Sequence, residues 1–209
     1  MYKDQCFLQF DEYFRFRAVA ELIDAIGRKG LTVLDVGGGA GRFLNFLPEH
    51  KAISVDKRQG VDGSSLPYGD RSFDVVTSID VLEHLPKADR PGFIKELVRV
   101  GRLKVFLAFP HAGATGVTRI VNQFTNGWLE EHVQLGLPSE EEVEEVLMRL
   151  YVTYRKYPNL DLATWVAMTI ADWYAPAELK RPLNEEFNRH FYRTVGPCYR
   201  WIYEIEPVG

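Results

Sequence analysis

Cysteine is almost absent from this 209-residue chain. Only Cys6 and Cys198 occur, far apart and outside any Cys-x-x-Cys pair, so neither a disulfide framework nor a thiolate zinc site is indicated. Long apolar runs are lacking too. The opening stretch MYKDQCFLQFDEYFRF is broken by charges every few residues, so it has neither a signal-peptide core nor a spanning segment, and a cytoplasmic protein without a membrane span is expected. Basic charge is not in excess: Lys+Arg 25 against Asp+Glu 29 gives a net charge of −4, with no lysine- or arginine-rich block, so nucleic acid is not expected as a partner. No internal repeat or low-complexity segment is visible. Hydrophobic residues at 46% and charged residues at 26% exclude collagen-like and disordered classes, and the length suits one domain over 1–209.

What is present is an alternation of strand-like and helix-like patterns in the first half, the pattern of a βαβ chain with a parallel sheet. Val19, Leu22, Ile23 and Ile26 recur at helical spacing, and Leu31 to Val36 is a short apolar run of the kind that forms a buried parallel strand. Helical spacing returns at Phe43, Leu44 and Leu47. Ala52–Asp56, Phe73–Ile79 and Leu103–Phe109 read as further strands, with a helix between the last two that starts at Pro91 and ends at Gly101. From Pro110 to Gly136 the pattern loosens, apart from a short helix around Trp128–His132. Ser139 and Glu142 then have the spacing of a capping box opening an acidic helix whose apolar face is Val143, Val146, Leu147 and Leu150. The acidic face is read as solvated. Tyr151–Tyr157 and Tyr199–Ile205 alternate like strands, and the aromatic-rich helical stretch between them, 160–194, is too long for a hairpin loop and reads as an inserted cap.

The strongest local signal is VLDVGGGAGRF, a strand running into Gly37, Gly38, Gly39, Ala40 and Gly41. Such a turn lets a ligand approach the backbone amides closely. The dinucleotide fingerprint fails, because its third glycine position, counted from Gly37, holds Arg42; a phosphate-binding P-loop fails because no Gly-Lys-Ser/Thr follows. Asp35 at the strand end would repel a pyrophosphate and favour a cationic ligand. Asp56 closes the next strand, at the separation from Asp35 where a carboxylate can hold the two hydroxyls of a ribose. An adenosine with a positively charged tail fits both.

With VLDVGGGAG at 33–41, ISVDK at 53–57, VDGSSLPY at 61–68 and SFDVVTSIDVLEHLP at 72–86, the chain resembles the class I S-adenosylmethionine-dependent methyltransferases, in the branch with Asp-Val-Gly-x-Gly-x-Gly and Val-Leu-Glu-His motifs. The likeness runs from about Leu31 to Pro110. It departs from the family before the fifth strand, in VRVGRLKVFLAFP, where the longer Lys-Pro-Gly-Gly turn is missing. The resemblance implies an α/β fold: a Rossmann-like seven-stranded mostly parallel sheet with helices on both faces, an antiparallel terminal strand, and the helical insertion before it. It also implies S-adenosylmethionine as cofactor. By matched position, Asp35 and the backbone of Gly37, Gly39 and Gly41 would hold its methionine part and Asp56 the ribose. Lys57 would lie along the adenine, Asp62 with Gly63 would meet the adenine amino group, and Asp80 would come near the methionine amine by backbone or side chain.

Methyl transfer needs alignment and water exclusion more than specific side chains, but a hydroxyl acceptor must lose a proton. Of the five histidines, His111 directly follows the fifth strand, at the carboxyl edge where ligands of open α/β sheets bind, and is the candidate proton acceptor or acceptor-orienting group. Asp80, Glu83 and His84, with His111 or His132, offer metal-ligand chemistry, but spacing alone does not identify such a site, and no metal is expected. Tyr13 and Arg17 either close over the cofactor or belong to the surface of an amphipathic helix. The expected acceptor is a small molecule or glycan precursor, bound between the 111–135 loop and the 160–194 insertion. A non-catalytic S-adenosylmethionine-binding regulatory or partner protein is the alternative.

Overall fold

The structure, a computed structural model, describes residues 2–208. Helix α1 (Phe10–Asp24) leads into β1 (Thr32–Val36), a 3-10 turn at Arg42–Phe46, and β2 (Lys51–Val55). Then come β3 (Phe73–Ile79), α2 (Arg90–Val100), β4 (Gly101–Pro110), α3 (Thr115–Phe124), α4 (Glu130–Leu135) and α5 (Glu140–Arg149). Strand β5 (Thr153–Asp161), α6 (Leu162–Tyr174), α7 (Ala177–His190) and β6 (Cys198–Glu206) complete the chain. The strands lie in the order β2-β1-β3-β4-β6-β5; the first four are parallel, and β6 runs antiparallel to both its neighbours.

Among the described residues six strands, not the expected seven, form the sheet. Between β2 and β3 the chain has no alternating run: a 3-10 turn at Lys57–Gln59 is followed by Gly60, Asp62, Gly63, Pro67 and Gly69, which favour turns over a ladder. Strand β2 is therefore the sheet edge, and its Lys51 and Ile53 are exposed.

The central strands are buried because both sheet faces are covered, as their near-continuous apolar runs require. Val33, Val75, Phe106 and Ile202 point into one core with Phe10, Tyr13, Phe14 and Trp165; Leu34, Val76, Leu107 and Tyr203 point into the other with Phe93, Leu97, Val143 and Leu147. Each side of a strand thus feeds a different helical layer, following the two-residue period. Helix α5 begins where Ser139 Oγ accepts from the Glu142 amide at 3.1 Å, but the Glu142 carboxylate turns to the buried Arg90 at 3.4 Å instead of closing the expected capping box. A closed box occurs instead at Asp56 and Gln59.

The insertion packs on the first helix. Phe187 of α7 stacks on Phe14 with ring centroids 5.7 Å apart, Asn184 Oδ1 accepts from the Phe10 amide at 2.7 Å, and Asn188 Nδ2 donates to the carbonyls of Cys6 and Leu8, each at 2.8 Å. Both asparagines are buried, so they supply partners to the start of α1 that water does not reach. Trp165 of α6 stacks on Tyr199 of β6 at 3.9 Å. The aromatics of the insertion are, at these positions, packing residues.

Candidate active site

The carboxyl ends of β1, β2, β3 and β4 converge on one edge of the sheet, where ligands of open parallel sheets bind. At the end of β1, Asp35 is 1% exposed; its carboxylate accepts from Thr77 Oγ1 at 2.9 Å and Ser54 Oγ at 3.4 Å. Burial pushes its pKa up to about 6, the two hydroxyl bonds only partly offsetting the loss of water. The glycine turn closes over it. A Cβ on Gly38 would sit 1.9 Å from Asp35 Oδ2, and one on Gly37 2.3 Å from Val81, so this side of the turn is filled. Gly39 differs: with φ +54° and nothing within 4 Å of a Cβ, it presents bare backbone to open space. Gly37 and Gly41 share its left-handed conformation.

Asp56 lies beside this opening. Its Oδ2 accepts from the Gly39 amide at 3.3 Å and its Oδ1 from the Arg58 amide at 2.9 Å, so the carboxylate links the turn after β1 to the one after β2. Lys57, next to it, is exposed. Asp62 is also exposed and accepts from the Ser64 amide at 2.9 Å as an Asx turn. Gly63 is required by packing: a Cβ there would lie 2.4 Å from Phe93 Cε2 and 3.2 Å from Val36 Cγ1. Bare backbone at Gly39, a buried carboxylate beneath the turn and a second carboxylate at its rim fit an adenosine with a cationic tail.

Asp80, just past β3, has its side chain engaged elsewhere. Its Oδ2 pairs with Arg15 Nη1 at 2.8 Å and Arg200 Nη2 at 2.5 Å, and its Oδ1 with Arg200 Nε at 2.6 Å. Arg200, with no exposure at all, also donates to Asp11 at 3.0 Å and to Asn159 Oδ1 at 3.0 Å. Burial alone would raise Asp80, but the guanidiniums of Arg200 and Arg15 outweigh it and hold the carboxyl below its ordinary range. The backbone of Asp80 is left-handed, φ +54°, an uncommon state for a residue with a Cβ. Sequence reasoning missed Asp11, Arg15 and Arg200. The available signal was Arg200 itself, a charge inside the apolar alternation of Tyr199–Ile205.

His111, at the end of β4, has both ring nitrogens engaged: Nε2 lies 3.1 Å from the Cys198 carbonyl, and Nδ1 accepts from the Gly113 amide at 3.3 Å. Glu140 Oε1 stands 3.6 Å from Nδ1. Tyr13 is buried and Arg17 lies over the Tyr192 ring at 3.8 Å, so both are packed into the body of the protein. Past β3, Glu83 is 1% exposed, and burial, with the charge of Asp80 second, pushes its carboxyl well above the usual range. His132 on α4 approaches His84, the two Nε2 atoms 3.4 Å apart; burial, then the neighbouring His84, lowers the His132 pKa to about 4.

Residues 10–101 match a family model described as a methyltransferase domain. Over 129 residues the chain is 30% identical to norajmaline N-methyltransferase of Rauvolfia serpentina, covering 48% of this chain and 42% of that enzyme. It is 30% identical over 149 residues to ajmaline N-methyltransferase of the same plant, covering 59% and 46%. The matches thus span less than half the length of either relative. The fold is similar to that of magnesium protoporphyrin IX methyltransferase from Synechocystis PCC 6803 with bound S-adenosylhomocysteine, TM-score 0.56 at 15% identity, covering 91% of this chain and 81% of that one. No helix among the described residues is long and apolar enough to cross a membrane. The motifs at 33–86, the match over 10–101 and the sheet order agree in making the chain similar to the class I S-adenosylmethionine-dependent methyltransferases.

Proposed function

We propose that the protein transfers a methyl group from S-adenosylmethionine to a small-molecule or glycan-precursor acceptor. The observation that carries this reading is the open face of the glycine turn at Gly39, with buried Asp35 beneath the turn and the Asp56 carboxylate at its rim. Two relatives named for N-methylation of norajmaline and ajmaline support an acceptor of small-molecule size. The non-catalytic alternative finds no support in a chain whose named relatives are methyltransferases.

When bound, S-adenosylmethionine supplies an electrophilic methyl carbon on a positively charged sulfur. Asp35, ionised above pH 6, puts a negative charge under the turn on which the methionine part rests. The Asp56 carboxylate, already oriented by the Gly39 and Arg58 amides, accepts from the ribose hydroxyls. Lys57, Asp62 and Gly63 flank the adenine. The Asp80 side chain is saturated by two arginines, so its contact with the methionine amine is through the backbone. His111 takes the acceptor's proton or orients the acceptor at the end of β4, through Nδ1, whose partner without acceptor is the Gly113 amide at 3.3 Å. The 111–135 segment and the 160–194 insertion bound the acceptor and keep water from the transfer.

Incubation with radiolabelled S-adenosylmethionine and a fractionated cell metabolite extract tests this. Label should move into a small-molecule fraction. Binding of S-adenosylmethionine by calorimetry with no labelled product from any fraction would refute catalysis while leaving the cofactor site in place.

A further inference from the structure

Glu83, His84 and His132 bring one ligand atom each, a carboxylate oxygen and two imidazole nitrogens, to within 4.8 Å of one another. Glu83 and His84 follow β3 in a 3-10 turn, whereas His132 reaches them from α4, 48 residues away in the chain. As a purely protein contact, this cluster is poorly satisfied. The Nε2–Nε2 separation of 3.4 Å is long for a hydrogen bond. Glu83 Oε2 and His132 Nδ1 are buried with no hydrogen-bond partner among the described residues. An unpartnered acceptor on a side chain only 1% exposed is costly, and a cation would remove that cost.

The surroundings favour a ligand set. Glu131 Oε2 lies 2.8 Å from His84 Nδ1, so the carboxylate accepts the proton there and leaves the Nε2 lone pair directed at His132. A carboxylate behind a ligating imidazole is the usual support that fixes tautomer and raises basicity. A metal ~2.1 Å from each of two nitrogens 3.4 Å apart would see them at an angle of about 110°, close to tetrahedral. The nearby arginines do not oppose a cation, because Arg15 and Arg200 are balanced by Asp11 and Asp80. His84 is 44% exposed at its side chain, which leaves an entry path.

We propose that Glu83, His84 and His132 bind a single divalent ion of the Zn²⁺ or Co²⁺ kind, with an open coordination position that takes an oxygen ligand. Asp80, just before the turn that carries Glu83 and His84, is excluded from the set by its two arginines, so the ligands differ from the Asp80, Glu83 and His84 trio that spacing offers, and the site departs from the metal-free expectation. Three protein ligands with a vacant position are the arrangement of a metal that binds or polarises substrate oxygen. That the vacant position receives an acceptor hydroxyl rests on the methyl-transfer reading; the metal site does not.

The full chain, stripped with chelator and dialysed, is titrated with Co²⁺ and followed by its visible absorption, and its Zn²⁺ content is measured by mass spectrometry after equilibration. One equivalent is expected, with a Co²⁺ band that shifts on adding acetohydroxamate. Glu131→Gln should weaken Zn²⁺ binding by about 10–100-fold. Glu83→Gln, nearly isosteric, and His84→Ala, at a half-exposed position, should weaken it further while circular dichroism stays unchanged. Absence of stoichiometric metal, or wild-type affinity in both folded ligand variants, overturns the site; a Co²⁺ band indifferent to acetohydroxamate overturns the open position. Calorimetry of S-adenosylmethionine on the metal-free wild type tests the methyl-transfer reading alone, and its failure leaves a measured metal site standing.

Discussion

Replacing Asp35 by Asn should make the ligand-free protein more stable and the cofactor complex weaker. Asp35 is 1% exposed, and burial raises its pKa to about 6 from an ordinary 3.8. At pH 8 the folded chain therefore carries an ionised carboxylate that the unfolded chain carries at less cost. A shift of about two units corresponds to about 3 kcal/mol. The sign follows from proton uptake: between pH 4 and 6 the folded state binds more protons than the unfolded state, so stability falls as pH rises through this window. In Asp35→Asn that fall disappears. The stability difference, variant minus wild type, should be smallest near pH 4 and grow by about 3 kcal/mol by pH 8. At pH 8 this is a rise in Tm of about 6–12 °C for a chain of this size. Urea titrations of both proteins from pH 4.5 to 8 measure the difference directly and cancel every other titrating group. Loss of the charge facing the cationic tail should cost cofactor affinity about ten- to a hundredfold by calorimetry at pH 8. A stability difference that is flat across pH, or an unaltered affinity, would refute the assignment of Asp35 as a carboxylate held under strain for a cation.

Gly39→Val puts a β-branched side chain at φ +54° and into the space where the cofactor meets the backbone; a loss of ~1–3 kcal/mol in stability and of all measurable cofactor binding is expected, and normal binding by a folded variant would reduce the loop to a packing turn. Asp56→Ala removes the acceptor of the Gly39 and Arg58 amides as well as that for the ribose, so S-adenosylmethionine affinity should fall about ten- to a hundredfold in calorimetry, with ~1 kcal/mol less stability in urea. For His111→Ala, turnover lower by ~10²–10⁴-fold with cofactor affinity unchanged is the result expected of a proton acceptor, whereas retained turnover would point to an amine or an already ionised acceptor.

Periodicity located the βαβ half of the chain well, because strands buried on both faces read as largely apolar runs: TVLDV, FDVVTSI and LKVFLAF all lie in strands of the sheet. It was weaker where local pattern and tertiary demand diverge. The segment 115–124 gave no clear signal, yet it forms a helix, since Thr118 and Val121 face the core while Ile120 and Phe124 remain exposed. The first helix begins at Phe10, nine residues before the periodic signal at Val19, because Asp11, Glu12 and Arg15 sit on faces that the sequence presents as surface. Those residues are buried or half-buried by partners from distant parts of the chain. The seventh strand was an inheritance from the resemblance, and the turn-forming residues of 57–70 were already evidence against it.

The same contrast divides the candidate site. The positions of the glycine turn, Asp35 and Asp56 were legible because they are local: each lies at a strand end, and strand ends can be read from a few consecutive residues. The cluster around Asp80 was not, because its partners stand 65 and 120 residues away and come from α1 and β6. Its consequence reaches beyond charge balance. A left-handed backbone at Asp80 is held by two guanidiniums and by its own amide, which donates to the Ala108 carbonyl at 2.9 Å. The turn that follows, Leu82–His84, starts from that fixed point, so the directions of Glu83 and His84 depend on residues at both ends of the chain. Arg200, fully buried and bonded to Asp80, Asp11 and Asn159, joins β6, β5 and α1 to the end of β3. A chain that positions a loop this way sets its site only when the last strand has docked, which explains why the motif Val-Leu-Glu-His, read alone, did not reveal what Glu83 and His84 face.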